Sequence, residues 1–292
     1  IPSQDSVINL FAENRNGVSV PAILMVVWKG AAPAKSKDDF EVKPKLYVLA
    51  VGVSDYDNPK YKLGLAAKDA KDFAAALQDQ KGRLYREVEV KLLTDKKASR
   101  DEVLEGLDWL QKQVTSKDIG MLFLAGHGIN DNTGVYYFMP SNAAVDKLKS
   151  TGVVFTEIKN TLSNLAGKAL FFVDTCHSGN VLGGGRRAVS TDVTGVINEL
   201  ASAENGVVVF SSSTGRQYSL ENPEWGNGAF TKALVEGFNG KANYNKTGRI
   251  THKMLDFYIS ERVKELTEGQ QTPVTQAPGG VPDFPIALAK NA

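Results

Sequence analysis

The stretch ALFFVDTCHSG at residues 169–179 decides how this sequence is interpreted. Its first five residues are entirely apolar, which is typical of a strand buried on both faces of a parallel sheet. Small and polar residues follow, and they include Cys176, the one cysteine of the chain. Because ligands bind outside the carboxyl ends of parallel strands, we expect Cys176 to lie at a binding edge of the sheet.

A second segment, residues 119–128, has the same arrangement. Its apolar run at 119–125 is followed by Gly126, His127 and Gly128. His127 precedes Cys176 by 49 residues, and adjacent parallel strands would bring both residues to the same edge. A thiol with a reference pKa of ~8.5 is only slightly ionised at neutral pH, so a nearby imidazole is what activates it. The pattern predicts Cys176 as nucleophile, His127 as its acid and base, and an oxyanion hole formed by the amides of Gly128 and Cys176.

From residue 45 onwards, short apolar runs alternate with amphipathic helical patterns. This alternation predicts an α/β fold in which a largely parallel sheet is covered by helices on both faces. We expect strands at 46–53, 88–93, 119–125, 169–173 and 206–210, with a further edge strand at 284–288.

Residues 1–43 differ from the rest of the chain. Two strand-like segments, 6–12 and 18–28, flank a turn and predict a β-hairpin. An Ala-, Lys-, Asp-, Pro- and Ser-containing linker without apolar periodicity follows. We expect a boundary near Pro44, which separates the hairpin and linker at 1–43 from one large domain at 44–292.

The composition excludes several classes of protein. The 292 residues carry 34 Lys and Arg against 33 Asp and Glu, a net charge of +1, so nucleic acid is not expected as a partner. The longest apolar run, at 20–28, is far short of the ~20 residues of a membrane-spanning helix, and we expect no membrane partner. A single cysteine cannot form an intramolecular disulfide and is compatible with the cytoplasm.

Taken together, GHG at 126–128, DTCHSG at 174–179 and a spacing near ~50 residues resemble the caspase and metacaspase superfamily of cysteine peptidases. DTCHSG is closer to metacaspases and bacterial caspase homologues than to animal caspases. Further matching segments are LAVGVSDY at 49–56, KDAKDFAAAL at 68–77, VVVFSSS at 207–213 and GNGAFTKAL at 226–234. The resemblance spans residues 44–290 and implies an αβα sandwich with a mostly parallel six-stranded sheet. It also implies a large fragment at 44–187, a small fragment at 188–292 and endopeptidase activity on protein or peptide substrates.

The resemblance further implies the specificity. In metacaspases an acidic pair lines the S1 pocket and selects a basic residue before the cleaved bond. The matching positions here are Asp174 and Asp69, so we expect cleavage after Arg or Lys, through charge-assisted hydrogen bonds. Two other pocket positions, often Cys and Ser in metacaspases, are Ala66 and Ala125 in this chain.

The acidic cluster with which many metacaspases bind calcium is not recognisable. Between residues 142 and 157 the acidic side chains are Asp146 and Glu157, whereas calcium takes about six to eight oxygen ligands. We therefore expect calcium-independent activity with no metal and no cofactor.

A glycine-rich segment at 180–192 contains Arg186 and Arg187. They match the expected specificity and could be a self-cleavage site, or they could be a solvated basic pair.

Two alternatives to a peptidase that cleaves after Arg or Lys remain open. One is a catalytically silent scaffold of the same fold, and the other is a peptidase of this fold that prefers a different residue before the cleaved bond. We expect a monomer, with residues 1–43 as a contact for a regulatory partner or domain.

Overall fold

The computed structural model describes residues 6–14, 17–26, 43–177, 198–200, 206–213 and 219–290. The strands in chain order are β1 (Ser6–Leu10), β2 (Glu13–Asn14), β3 (Gly17–Val18), β4 (Ala22–Val26), β5 (Lys45–Gly52), β6 (Glu87–Thr94), β7 (Ile119–Asn130), β8 (Tyr136–Phe138), β9 (Val153–Val154), β10 (Lys168–His177), β11 (Val208–Ser211), β12 (Glu221–Asn222), β13 (Asn227–Gly228), β14 (Arg249–Thr251), β15 (Val274–Gln276) and β16 (Pro285–Leu288). The α-helices are α1 (Ala66–Gln78), α2 (Arg100–Gln113), α3 (Leu148–Thr151), α4 (Phe155–Ser163), α5 (Ala229–Glu236) and α6 (His252–Leu266).

The central sheet has the strand order β15-β11-β10-β7-β5-β6. The pairings among β6, β5, β7, β10 and β11 are parallel, and β15 joins β11 antiparallel. These six strands form the mostly parallel arrangement that the family resemblance implies. Off this path, β8 pairs with the far end of β7, and β9 pairs with β8.

Helices cover both faces of the sheet, because successive side chains of a strand point to opposite sides. One apolar layer of the core combines alternate residues of β5 with α2 and α4; from β5 it takes Tyr47, Leu49 and Val51. The other combines the intervening residues of β5 with α1, α5 and α6; from β5 it takes Leu46, Val48 and Ala50. The fold is thus the α/β sandwich expected from the apolar runs.

Two strands extend further than their apolar runs predict. β7 continues to Asn130 and β10 continues to His177, so His127 and Cys176 lie within strands rather than after them. The extension of β7 is stabilised by β8, which places Phe138 opposite Gly128. Hydrogen bonding to a neighbouring strand therefore continues the sheet through glycines and polar residues that have low strand propensity.

The prediction for the edge of the sheet was wrong in one respect. The edge strand is β15, whereas the predicted strand at 284–288 forms β16 and pairs with β14 in a separate two-stranded sheet. The amide side chain of Gln80 holds β16 in place: it accepts from the Leu288 N–H at 2.7 Å and donates to the Leu288 carbonyl at 3.1 Å. The Tyr85 hydroxyl donates to the Ile286 carbonyl at 2.9 Å.

The N-terminal strands form an antiparallel ribbon. β1 pairs with β4, and the shorter β2 pairs with β3. Glu13 of this ribbon forms ion pairs with Arg86 at 2.7 Å and with Lys45 at 3.7 Å. The division of the chain near Pro44 stays a prediction.

None of the helices in the described ranges combines the length and the apolar character that crossing a bilayer requires.

Candidate active site

The strand register places Cys176 directly opposite His127. β10 and β7 are parallel neighbours, and their paired positions include Asp174 with Ala125 and Cys176 with His127. Adjacent strands lie ~4.8 Å apart, so the backbone positions of the two residues are direct neighbours. The structure therefore brings together the two positions that the sequence assigns to the nucleophile and the base.

The imidazole of His127 is held by two tyrosines. Its Nε2 lies 2.9 Å from the carbonyl oxygen of Tyr61, an arrangement in which Nε2–H donates to that oxygen. The His127 backbone N–H donates to the hydroxyl of Tyr56 at 2.9 Å. The Tyr56 ring packs against the imidazole at a centroid distance of 5.3 Å. These contacts fix both the position of the ring and the nitrogen that carries its proton.

The second nitrogen of His127 is available as a base. Among the described residues Nδ1 has no hydrogen-bond partner, although it is buried. Burial lowers the pKa of His127, and the hydrogen bond to the Tyr61 carbonyl opposes that shift. The imidazole is therefore neutral at neutral pH, with Nε2 protonated and Nδ1 able to accept a proton.

Sequence reasoning missed both tyrosines. Tyr56 is the last residue of the LAVGVSDY segment and follows the first strand of the sheet. That position could have indicated a residue of the site. Tyr61 acts through its main-chain carbonyl, and no pattern of side chains encodes that role. Its position comes from the short 3₁₀ turn Pro59–Tyr61.

The glycines on either side of His127 make room for aromatic hydroxyls. Gly126 has φ +152°, and a Cβ there would lie 2.8 Å from the hydroxyl oxygen of Tyr56. A Cβ on Gly128 would lie 2.3 Å from the hydroxyl oxygen of Tyr136, which donates to Thr175 Oγ1 at 3.1 Å. The two glycines thus allow the hydroxyl groups of Tyr56 and Tyr136 to pack against the backbone on either side of His127. An oxyanion hole formed by the Gly128 and Cys176 amides stays a prediction.

Asp69 and Asp174 line a common cavity. α1 contributes Asp69 and Ala66, while the paired strands β7 and β10 contribute Ala125 and Asp174. The remaining lining residues are Leu63, Gly126, Ser219, Glu221 and Gly228. The cavity measures about 10 Å³, close to the space of one water molecule. The structure therefore brings together all four residues that the family resemblance assigns to the S1 pocket.

Neutral groups satisfy both carboxylates in this structure. Asp174 accepts hydrogen bonds from the hydroxyls of Ser219, Ser212 and Thr231, the last at 3.1 Å. Asp69 accepts from Asn227 Nδ2 at 2.9 Å and from the Gly228 N–H at 3.2 Å. Within the described ranges, neither carboxylate forms an ion pair with Lys or Arg.

The environment of this acidic pair disfavours negative charge. Burial, and secondarily the charge of Asp174, raises the pKa of Asp69 to about 8. Burial also raises the pKa of Asp174, and the hydroxyl hydrogen bonds oppose that effect. A buried carboxylate pair without a counter-ion is a site that a cationic group would stabilise.

Glu221 is a third carboxylate in the lining, and sequence reasoning did not identify it. It accepts from the Gly64 and Leu65 N–H groups, both at 3.2 Å. Its strand β12 pairs with β13, which places Glu221 opposite Gly228. The β12–β13 hairpin therefore forms one wall of the cavity and is hydrogen-bonded to the start of α1.

Two further expectations concern self-cleavage and metal binding. Arg186 and Arg187, the proposed self-cleavage residues, lie outside the described residues. In the part of the chain that is described, no group of three or more His, Cys, Asp or Glu side chains is arranged to hold a metal ion.

The chain belongs to the caspase-domain family of cysteine peptidases, because the family model for the caspase domain matches residues 45–279. Among solved structures, the chain is similar to the crystal structure of protein GSU0716 from Geobacter sulfurreducens, with a TM-score of 0.60 and 21% sequence identity. That similarity covers 85% of this chain and 100% of the other, and at this identity it shows the fold alone. A comparison with curated protein sequences finds no significant match.

Proposed function

We propose that this caspase-domain chain is an endopeptidase that cleaves after Arg or Lys, with Cys176 as nucleophile and His127 as acid and base. The observation that carries the proposal is the cavity shared by Asp69 and Asp174. Both carboxylates are at most 5% exposed, and their hydrogen-bond partners among the described residues are neutral. A guanidinium or ammonium group between them would supply the missing counter-charge and form strong charge-assisted hydrogen bonds.

The proposed reaction begins with transfer of the Cys176 proton to Nδ1 of His127. The thiolate attacks the carbonyl carbon of the substrate, and the amides of Gly128 and Cys176 stabilise the negative oxygen. His127 then protonates the leaving amine, and water hydrolyses the thioester to release the acyl product. Throughout, the Tyr61 carbonyl accepts from Nε2–H and stabilises the cationic imidazolium.

The size of the cavity adds a step to binding. A space of about 10 Å³ does not admit an Arg or Lys side chain, so the substrate must displace one wall. The β12–β13 hairpin is the wall that can move most readily, because it is only a few residues long and contacts α1 through polar hydrogen bonds. We propose that a basic side chain opens the cavity by replacing the neutral hydrogen-bond donors of Asp69 and Asp174 with its own N–H groups.

The proposal includes activity without calcium, because the region at 142–157 supplies few carboxylates. It also includes self-cleavage after Arg186 or Arg187, since these are basic residues shortly after the nucleophile. Action as a monomer in the cytoplasm, and regulation through residues 1–43, complete the proposal.

The test uses matched fluorogenic peptides that end in Arg, Lys, Asp or Asn. Wild type, Cys176→Ala and His127→Ala are assayed in chelator and in calcium, and chain mass is followed on a gel. We expect cleavage after Arg and Lys only, unchanged by chelator and absent from both variants. Cleavage after Asp or Asn, or activity in Cys176→Ala, would contradict the proposal.

Further variants test the acidic pair. Asp69→Asn and Asp174→Asn each remove one charge-assisted hydrogen bond, worth about 1.5–3 kcal/mol, so kcat/KM on Arg peptides should fall roughly 10- to 150-fold. Asp108→Asn, which changes an exposed carboxylate on α2, is the matched control and should leave activity unchanged.

The closed cavity also favours a second candidate, a chain of the same fold that binds partners without turnover. Folded protein that cleaves none of the four peptides, before or after addition of a trace of active protease, would support it. A basic peptide cleaved only after such processing would instead show a zymogen.

A further inference from the structure

A second and much larger cavity lies at the amino ends of the sheet strands. Its walls include Pro44 before β5, Ile119 at the start of β7 and Lys168 at the start of β10. Lys168 and Cys176 are eight residues apart on one strand, or roughly 26 Å. The cavity is therefore separate from the site of the proposed peptidase. We call it the amino-end cavity.

The volume of the amino-end cavity is about 840 Å³. Small-molecule sites typically enclose about 300–1,000 Å³. The floor is apolar and consists of Leu84, Ile119, Phe284, Pro285 and Leu288. The N-terminal ribbon forms another wall with Leu10, which is 58% exposed, and Phe11, which is 38% exposed. A cavity of this volume with an apolar floor can accommodate the hydrocarbon or aromatic body of a ligand.

Positive charge surrounds this floor. The lining contains six basic residues against two acidic ones, although the chain as a whole is almost neutral. The basic residues are Lys43, Arg83, Arg86, Lys117, Lys168 and Arg249; the acidic residues are Glu13 and Asp118.

The two acidic side chains are already engaged. Glu13 binds Arg86 and Lys45. Asp118 accepts from the Lys45 N–H at 2.9 Å and from Thr115 through its N–H at 3.1 Å and its hydroxyl at 2.6 Å. Five cations of the lining have no acidic partner within the described ranges: Lys43, Arg83, Lys117, Lys168 and Arg249.

Two details show that the polar atoms of the lining have capacity for a ligand. The ammonium of Lys168 lies 4.9 Å from the ring centroid of Phe284, a cation–π arrangement that positions the charge at the apolar floor. The Nε of Arg86 is buried and has no acceptor among the described residues. A buried donor without a partner costs about 1–3 kcal/mol, and an anionic oxygen would satisfy it.

We propose that the amino-end cavity binds a small amphiphilic anion, a molecule with an apolar body and one carboxylate, phosphate or sulfonate group. The apolar body packs on Phe284 and Leu288, and the anionic group lies among the cations that have no acidic partner within the described ranges; of these, Lys43 and Arg83 also donate to the Gly82 and Ala289 carbonyls. This binding does not depend on peptidase activity, so either proposal can fail while the other stands.

The experiment uses the full chain as Cys176→Ala, which prevents self-cleavage. The probe is 8-anilinonaphthalene-1-sulfonate, an aromatic anion whose fluorescence rises on binding. Decanoate, decanol and inorganic phosphate are the competitors. We expect decanoate to displace the probe at least tenfold more effectively than decanol or phosphate, because the site requires both parts of the ligand. Equal displacement by decanol or by phosphate, or no displacement by decanoate, would overturn the proposal.

Charge-reversal variants locate the binding. Lys117→Glu and Arg249→Glu change exposed residues of the lining and should each weaken decanoate binding about tenfold or more. Lys96→Glu makes the same charge change at an exposed position elsewhere and should alter binding less than twofold. Equal weakening in all three variants would show a general charge effect and overturn the assignment. Sedimentation with phosphatidylglycerol vesicles distinguishes a free amphiphilic anion from an anionic lipid in a membrane. Binding to vesicles without binding of monomeric decanoate would show that the cavity recognises a membrane surface and would overturn the proposal.

Discussion

Asp69 on α1 and Asp174 on β10 present their carboxylates to one cavity, and a single glycine lies against both. A Cβ on Gly228 would lie 3.2 Å from Asp69 Oδ2 and 3.5 Å from Asp174 Oδ2. The backbone of Gly228, with φ −60° and ψ 150°, is one that any residue adopts. A methyl group at this position would therefore fit the backbone and occupy the space between the two carboxylates, with a small shift of Asp69.

Gly228→Ala should therefore block the acidic cavity without unfolding the protein. The added methyl group occupies the space that a guanidinium would need, and we expect kcat/KM on Arg and Lys peptides to fall at least 100-fold. Gly279→Ala is the matched control, because no atom lies within 4 Å of its Cβ position. Undiminished cleavage by Gly228→Ala, with a normal melting temperature, would show that the basic side chain binds elsewhere.

Cation binding to the acidic cavity should release a proton. With a pKa of about 8, Asp69 is largely protonated at pH 7, whereas a cation binds the ionised form. Affinity should fall up to tenfold per pH unit as the pH drops below about 8. Calorimetry of agmatine binding to Cys176→Ala, in buffers of different ionisation enthalpy, measures this without interference from the thiol. Binding that is independent of pH between 6 and 8 would contradict the assignment of Asp69.

The same raised pKa predicts how stability depends on pH. Protonated Asp69 stabilises the fold fully below the unfolded-state pKa of about 3.9, and this contribution is lost as the pH rises through about 8. The free energy of unfolding of wild type should therefore decrease from pH 5 to pH 8.5 more steeply than that of Asp69→Asn. Urea titrations at several pH values compare the slopes, and Asp108→Asn should retain the wild-type slope.

Tyr56→Phe should impair catalysis through the position of His127. The substitution keeps the ring but leaves the buried His127 N–H without the acceptor that it has at 2.9 Å. We expect kcat on Arg peptides to fall about tenfold with little change in KM, and the pH profile of kcat to shift. Tyr47→Phe removes a hydroxyl remote from the site and should have no effect on kcat. A fall in stability with an unchanged kcat and pH profile would assign Tyr56 a structural role only.

Much of the sheet could be predicted from local patterns. β5, β7 and β10 contain long apolar runs because both of their faces are covered, and such runs stand out in a sequence. The relation of His127 to Cys176 followed from the ends of two such runs. β15 was not predicted, because its residues are only half-buried at an edge and carry little hydrophobic signal.

The acidic cavity was predicted only through the family resemblance. Asp69 and Asp174 were assigned by matching positions, and their local surroundings resemble a helix start and a strand end. The roles of Glu221 and Gly228 in the cavity could not be found in this way, because they come from a hairpin that packs against α1. No local pattern records such a long-range contact.

Local sequence patterns predicted the α/β architecture, the positions of the main strands along the chain and the adjacency of Cys176 and His127. Alternation and burial of apolar residues act over a few positions, so they are encoded locally. Other features became visible only in the folded chain: Nε2 of His127 meets the Tyr61 carbonyl, neutral donors surround Asp69 and Asp174, and basic side chains surround the amino-end cavity. Each of these depends on segments far apart in the chain, whose contacts form only when the sheet and its helices pack together.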